Sequence, residues 1–167
     1  MAPQLRRDPL GSTVSPMVWD WASTFIFLPA ISKSGRKEIF EIRVEGVPDP
    51  EGDAWFYYAK PKDWKVPEGE EYFASFKTIA AGLLQLEGVT NRLPAEFQGF
   101  GITAALIPHV AESHAARIRS SRHRPSEGEM RSVAATAVWQ RLVREKLAFY
   151  DRRDDRFYFP LPPPGAA

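Results

Sequence analysis

The sequence predicts an α+β fold, in which helices pack on a mixed, mostly antiparallel central sheet. The first half of the chain holds short segments rich in aromatic and β-branched residues, and the second half holds segments with helical spacing. Strands joined by short connections favour an antiparallel meander. A chain of 167 residues can bury one hydrophobic core, so we expect a single domain over residues 18–160.

Three strands are predicted in the first half, over residues 21–28, 38–44 and 54–59. The first is expected to stop at Pro29, because proline cannot donate a backbone hydrogen bond. Residues 80–90 are predicted as a further strand, although a stripe of apolar residues with helical spacing runs through the same region. Gly82 would weaken a helix there by about 1 kcal/mol, which favours the strand.

Two helices are predicted in the second half. Residues 102–118 carry apolar side chains on one helical face, and Pro108 is expected to kink or interrupt that helix. Residues 126–146 begin with Ser126-Glu-Gly-Glu129, which has the spacing of a capping box. Two short strands around a polar loop, over 147–151 and 156–159, are expected to form a hairpin.

The composition is that of an ordinary globular protein and excludes several classes of function. Lys and Arg number 22 against 21 Asp and Glu, so the net charge of +1 does not indicate a polybasic surface. The absence of cysteine excludes disulfides, thiolate catalysis and cysteine-containing zinc sites. Without an apolar run near the ~20 residues of a membrane span or a signal-peptide pattern, we expect a cytoplasmic protein with no membrane partner. Residues 1–17 and 161–167 are expected to be a disordered arm and a disordered proline-rich tail.

The most informative segment is a turn with two glycines that precedes the first predicted helix. Gly99 and Gly101 stand one residue apart, directly before that helix. Glycine lets backbone N–H groups approach an anion without a Cβ in the way, and the helix start adds unpaired donors and about half a positive charge. The turn therefore predicts a phosphate or pyrophosphate site, although a glycine pair in this place also serves as a plain tight turn.

The segment Gln98-Gly-Phe-Gly-Ile-Thr-Ala-Ala-Leu-Ile107 resembles the acyl-CoA-binding motif of the GNAT-type N-acetyltransferases. In that motif Gln or Arg is followed, after two residues, by Gly, and after one more residue by Gly or Ala at the start of a helix. Gln98 and Gly101 match it, whereas Thr103 stands where Gly or Ala is usual. The resemblance implies acetyl-CoA as co-substrate and the following cofactor-binding residues: Leu93, Gln98, Gly99, Phe100, Gly101, Ile102, Thr103, Ala104 and Trp139.

The resemblance extends more weakly over residues 84–160. It implies that the predicted strand with Glu87 is the family's fourth strand, with its exit at residues 93–97. It also implies that 117–121 are the fifth strand and that 134–143 belong to the fourth helix, before two closing strands. Trp139 occupies a position where the family often has a tyrosine that acts as an acid. The two helices that the family places after its first strand are not evident in this sequence.

Acetyl transfer to an amine needs a base, because an ammonium group must lose its proton before it attacks a thioester. Glu87 is the predicted base, since it is the only carboxylate on the strand that leads to the glycine turn; a plain surface glutamate is the alternative. Tyr150 is predicted to replace the missing acid, with an edge tyrosine packed on the core as the alternative. The acceptor amine is left open among a small molecule, a protein and an aminoacyl-tRNA.

No metal site is predicted, because His109 and His114 lie about 140° apart around a helix and match no zinc spacing. The densest basic run could hold the 3′-phosphate of CoA or an RNA backbone, or could complement a helix dipole. Its members are Arg117, Arg119, Arg122, His123 and Arg124. Aromatic residues of the first half are compatible with a substrate pocket, with the core and with a homodimer interface. They are Trp55, Phe56, Tyr57, Tyr58 and Trp64.

The sequence thus favours an acetyl-CoA-dependent N-acetyltransferase. The alternative is a non-catalytic module that binds nucleic acid or a protein partner, because the helix over 126–146 and the hairpin have the order of a winged helix. A winged helix does not require the glycine turn, which therefore favours the transferase. A transferase fold that has become a partner-binding scaffold is a third alternative, and Thr103 and Trp139 keep it open.

Overall fold

An eight-stranded sheet with two helices packed on one of its faces makes up the computed structural model of this protein. The predicted α+β class with a mostly antiparallel sheet is confirmed. The structure describes residues 25–65, 67, 69–123 and 130–160, together with two short strands nearer the N-terminus. These two strands, β1 (Arg6–Arg7) and β2 (Thr13–Val14), pair with each other antiparallel.

The first half of the described chain is an antiparallel meander, as predicted, and it has five strands. Side chains alternate between the helix-bearing face and the opposite face, which places Phe40 and Ile42 in the core with no exposed surface. The strands are β3 (Phe25–Ile31), β4 (Lys37–Val47), β5 (Ala54–Pro61), β6 (Tyr72–Ala80) and β7 (Leu83–Asn91).

The second half adds two helices and three strands to the same sheet. Helix α1 (Ile102–Ser113) crosses from β7 to β8 (Arg117–Ser120), which is parallel to β7. Helix α2 (Val133–Arg144) then leads to a hairpin of two strands, β9 (Phe149–Asp151) and β10 (Arg156–Phe159). The strand order is β3-β4-β5-β6-β7-β8-β10-β9, and β7–β8 is the parallel pair. The predicted hairpin is therefore present, and β8 lies where a strand was expected over 117–121.

The predicted end of β3 and the predicted start of β7 differ from the structure. Strand β3 does not stop at Pro29 but continues to Ile31. Because β3 is an edge strand and pairs only with β4, a proline in it does not break a hydrogen bond to a second neighbouring strand. Residues 21–24 of the predicted strand lie outside the described residues. The strand predicted over 80–90 is confirmed as β7, and Gly82, with φ of 72°, lies in the turn that joins it to β6.

Both predicted helices are shorter in the structure. Helix α1 continues through Pro108, so of the two expected alternatives, a kink or an interruption, the interruption is wrong. The helix ends at Ser113 rather than at residue 118. Helix α2 starts at Val133 rather than at residue 126, with Ser132 as its N-cap; the Ser132 hydroxyl accepts a hydrogen bond of 3.1 Å from the Ala135 N–H. The predicted capping box over 126–129 lies outside the described residues.

The core lies between the two helices and the face of the sheet that they cover. Its largest fully buried side chains come from the meander and from both helices, and they include Trp139, Tyr57, Tyr72, Phe40 and Phe76. Among the described residues, no helix covers the opposite face of the sheet, where the rings of Phe56, Tyr58 and Phe73 contact one another. The helices found in the described part of the chain are too short or too polar to cross a membrane.

Candidate functional site

The glycine turn has the backbone geometry that glycine alone adopts without strain. Gly99 and Gly101 have φ of 79° and 67°, in the left-handed region. Gly101 is the N-cap of α1, so no side chain caps this helix start, and the first intrahelical bond runs from the Ala105 N–H to the Gly101 carbonyl at 3.0 Å. The N–H groups of residues 102–104 precede that bond and are free to bind an anion.

Residues beside the turn hold it rigidly on the core. The Gln98 side-chain amide donates to the Leu93 carbonyl at 2.9 Å, which closes the loop before the turn. Phe100 is buried against Phe40, with ring centroids 5.4 Å apart, and Ile102 is buried as well. The side chains of Leu93, Phe100, Ile102 and Ala104 therefore support the turn from inside, and only the backbone of these predicted cofactor-binding residues is available to a ligand.

Thr103, which departs from the motif, is directed into the protein. Its hydroxyl shares a hydrogen bond of 2.8 Å with the Tyr72 hydroxyl, and both side chains are buried. Burial raises the pKa of Tyr72 well above its ordinary value, so this phenol stays neutral. The extra atoms of Thr103 thus fasten the first turn of α1 to β6, which explains how a larger residue is accommodated at this position.

Two adjoining cavities lie between β7 and α2. The glycine-turn cavity has a volume of about 250 Å³ and is lined by Tyr72, Val89, Asn91, residues 99–103, Ser132, Ala134, Ala135 and Val138. The bulge cavity has a volume of about 210 Å³ and is lined by residues 86–89, Ser121, residues 130–132, Ala135 and Trp139. Val89, Ser132 and Ala135 line both cavities, so the two form neighbouring parts of one groove.

The bulge cavity exists because β7 leaves the regular ladder on both sides at Glu87. Toward β6, Phe76 pairs with Leu86 and Ser75 pairs with Gly88, so Glu87 is the extra residue of a β-bulge. Toward β8, the parallel pairing ends where Leu86 meets Ser120. Beyond that point the two strands separate, and the exposed Glu87 side chain stands at the opening between them.

The structure brings Glu87 and Trp139 to one cavity and leaves Tyr150 outside it. Trp139 is buried and its ring stacks on Phe157, with centroids 5.9 Å apart. Tyr150, on the edge strand β9, donates its hydroxyl proton to Asp155 at 2.8 Å. This hydrogen bond raises the pKa of Tyr150, because the phenolate would stand beside a carboxylate.

Arg131 is a residue of this site that the sequence interpretation missed. It is buried at one end of the bulge cavity, where its guanidinium donates to the Ser120 hydroxyl at 3.1 Å and to the Ser121 carbonyl at 2.9 Å. It also pairs with Asp155 at 3.4 Å. Arg131 thus joins the end of β8 to the hairpin, and it holds open the side of the cavity that faces away from β7.

A third cavity adjoins the glycine turn on its other side, and we call it the cationic pocket. It has a volume of about 530 Å³ and is lined by Ile31, Ser32, Lys33, Gly99, Gly101, Arg141, Arg144 and Glu145. Arg141 reaches over the turn, so that its Nη1 atom lies 2.6 Å from the place that a Cβ on Gly101 would take. The Arg141 Nε donates a hydrogen bond of 2.9 Å to the Glu145 carboxylate, with which it forms an ion pair. The spacing of Arg141 and Arg144 on one face of α2 was the available sequence signal.

The predicted basic run lies elsewhere and makes contacts of its own. Arg117 lies over the ring of Tyr158, with its Cζ atom 5.3 Å from the ring centroid, and Arg119 donates to Gln85 at 2.8 Å. Arg122 pairs with Asp154 at 3.0 Å. None of these three arginines lines the glycine-turn cavity, the bulge cavity or the cationic pocket. Arg124 lies outside the described residues.

His114 has a structural environment. Its Nε2 atom shares a hydrogen bond of 2.9 Å with the Tyr57 hydroxyl, and its ring lies edge-on to Trp55 at 4.4 Å. Burial lowers the pKa of His114, so the neutral ring is favoured. In the part of the chain that the structure describes, no cluster of three or more His, Asp and Glu side chains could hold a metal ion.

Fold and site together define an α+β protein with a groove that runs from a helix start with two glycines to a carboxylate on a bulged strand. A cationic pocket adjoins the glycine turn outside this groove. Comparisons of the chain with family models, curated proteins and solved structures find no match.

Proposed function

We propose that the protein is an N-acyltransferase with a GNAT-like architecture, which moves an acetyl group from acetyl-CoA to a primary amine. The observation that carries the proposal is the adjoining pair of cavities between β7 and α2. A CoA molecule with its pyrophosphate on the N–H groups of residues 102–104 would extend along this groove toward Glu87. The groove thus offers an anion site and a carboxylate at its two ends, which is what the chemistry requires.

The order of the elements supports the same proposal. Strand β7, the glycine turn, α1, β8, α2 and the hairpin β9–β10 follow one another as the resemblance over residues 84–160 implies. Upstream the chain departs from the family, since β4 and β5 are joined by a short turn over residues 48–53 in place of two helices. The departure leaves one face of the sheet uncovered by helices among the described residues, but it does not touch the groove.

Two residues of the bulge cavity, Glu87 and Trp139, have a defined part in the proposed reaction. Glu87, directly or through water, takes a proton from the acceptor ammonium. The free amine then attacks the thioester carbon, and the bond from that carbon to sulfur breaks. As the amide forms, the nitrogen loses its second proton, and the leaving thiolate takes up one proton. Trp139 contributes an apolar wall to this end of the groove. The role of Tyr150 as the acid stays a prediction, and it requires the hydroxyl to leave Asp155.

The proposal is tested by titrating acetyl-CoA into the parent protein and into a matched pair of glycine variants, with calorimetric detection. Gly101→Ala and Gly82→Ala both place alanine at a positive φ, of 67° and 72°, at a cost of about 1 kcal/mol in stability. The new Cβ meets the Arg141 guanidinium in the first variant and open space in the second. We expect Gly101→Ala to bind acetyl-CoA about 10–100-fold more weakly than the parent, because the pyrophosphate loses its close approach to the N–H groups.

Gly82→Ala should bind acetyl-CoA as the parent does, because Gly82 lies in the turn between β6 and β7, away from the groove. Two results would refute the proposal. One is a folded parent protein that binds no acetyl-CoA, which would favour the non-catalytic binding module. The other is an equal affinity of the two glycine variants.

A further inference from the structure

The cationic pocket holds three cations beside the glycine turn, outside the two cavities between β7 and α2. Of its three cations, Arg141 is paired with Glu145 at 2.9 Å. Lys33 and Arg144 have no ion-pair partner among the described residues. Two uncompensated cations therefore face the same open volume of about 530 Å³, and a second anionic group would neutralise them.

These cations come from separate parts of the chain, so their convergence is a property of the fold. Arg141 and Arg144 stand on the last turn of α2, where cations also complement the helix dipole. Lys33 belongs to the tight turn between β3 and β4, which the Ser32 hydroxyl closes by accepting from the Arg36 N–H at 3.1 Å.

A hydrogen bond fixes this turn beside the glycine turn. The Arg36 guanidinium donates to the Glu96 carbonyl at 3.1 Å, and its Cζ atom lies 5.1 Å from the centre of the Phe97 ring. Residues 95–97 form the short 3₁₀ helix that immediately precedes the glycine turn. Lys33 thereby lines the same pocket as Arg141 and Arg144 although it is not part of α2, so complementing the helix dipole does not explain its position.

We propose that the cationic pocket binds a phosphomonoester group, which is the 3′-phosphate of CoA if the proposed function holds. A phosphomonoester carries a charge of about −1.5 to −2 on one group at neutral pH, which matches the two uncompensated cations. Arg141 lies over Gly101 and within the pocket, and so reaches both the pyrophosphate and the additional phosphate. The pocket would make the protein select CoA over dephospho-CoA.

The test compares CoA and dephospho-CoA as calorimetric ligands of the parent protein and of two double variants. Lys33→Gln with Arg144→Gln removes the two uncompensated cations of the pocket. Arg152→Gln with Arg153→Gln makes the same change in net charge at the exposed loop between β9 and β10, outside all three cavities.

We expect the parent to bind CoA about 10–100-fold more tightly than dephospho-CoA, because dephospho-CoA lacks the phosphate that makes a charge-assisted contact with the pocket. The pocket variant should lose this preference while its affinity for dephospho-CoA changes by less than about threefold, because the pyrophosphate site is retained. The loop variant should keep the full preference.

The outcomes separate this inference from the proposed function. Equal affinity of the parent for CoA and dephospho-CoA overturns the inference and leaves the acyltransferase proposal standing. A preference for CoA that the pocket variant retains also overturns it, because the 3′-phosphate would then lie elsewhere. A folded parent that binds neither ligand overturns the proposed function, and the phosphate assignment with it.

Discussion

Trp139 joins α2 to the hairpin, and its removal should be the most destabilising single change in this part of the fold. The side chain is 1% exposed and stacks on Phe157, with the two rings inclined by 15°. A tryptophan buries about 200 Å², which at about 25 cal/mol per Å² corresponds to about 5 kcal/mol, and alanine retains about 1 kcal/mol of this. We therefore expect Trp139→Ala to lower the free energy of unfolding by about 4 kcal/mol.

The measurement is equilibrium unfolding in urea, followed by far-UV circular dichroism at several wavelengths. Val133→Ala is the matched control, because Val133 lies on the same helix but is 83% exposed, and its replacement should change the free energy of unfolding by less than about 0.5 kcal/mol. Trp139→Phe, which keeps an aromatic ring against Phe157, should cost about 1–2 kcal/mol and remain folded if the alanine variant does not.

A double-mutant cycle between Trp139 and Phe157 separates stacking from burial. The combination of Trp139→Leu and Phe157→Leu should show a coupling energy of about 0.5–1.5 kcal/mol, which is the usual size of an aromatic pair. A loss below about 1 kcal/mol in Trp139→Ala would refute the reasoning, because α2 would then not be docked on the hairpin through this side chain. A coupling energy near zero would refute the stacking component alone.

Two further predictions concern the carboxylates. Glu87→Gln should reduce acetyl transfer by about 10²–10⁴-fold with little change in CoA affinity, because the amide keeps the shape of the side chain but accepts no proton. The control Glu112→Gln, at an exposed residue, should be fully active. Steady-state rates with a panel of amines measure the activity of both variants. Equal activity of the two variants would remove Glu87 from the mechanism. For Asp154, burial opposes ionisation, but the hydrogen bonds from Tyr158 and Arg122 prevail and lower its pKa below the ordinary value of 3.8. The ionised Asp154 carboxylate therefore stabilises the fold above about pH 3.8, and this stabilisation is lost as the pH falls through the lowered pKa. In thermal melts, Asp154→Asn should destabilise the protein at pH 7 and progressively less at lower pH. If Asp154→Asn destabilised the protein equally at every pH, the stabilisation by the ionised carboxylate would be refuted.

The pattern of the sequence was sufficient where structure depends on neighbouring residues. Alternation of apolar and polar residues in β4 places Phe40 and Ile42 in the core, because side chains of a strand alternate between its faces. The glycine turn was predictable for the same reason, since the positive φ of Gly99 and Gly101 is a local property that glycine tolerates. The hairpin of β9 and β10 also follows from its own residues.

The start of α2 depended on tertiary contacts and was predicted wrongly. The periodic stretch over 126–146 predicts a helix through Arg131, but the structure draws this arginine into the core, where it binds Ser120 and Asp155. A buried guanidinium must have its donors satisfied, and these acceptors come from β8 and from the hairpin. The helix therefore begins only after Arg131, at Val133.

The sequence by itself determined which residues of the groove can approach an anion, because glycine conformation and the donors of a helix start are local chemistry. Only the tertiary structure decided what stands beside them. The bulge at Glu87 arises from the register between β6 and β7, and Lys33 reaches the glycine turn because Arg36 binds the Glu96 carbonyl. Register and packing bring together residues that are distant along the chain. The residues of one strand or one turn therefore do not determine by themselves which segment it will contact.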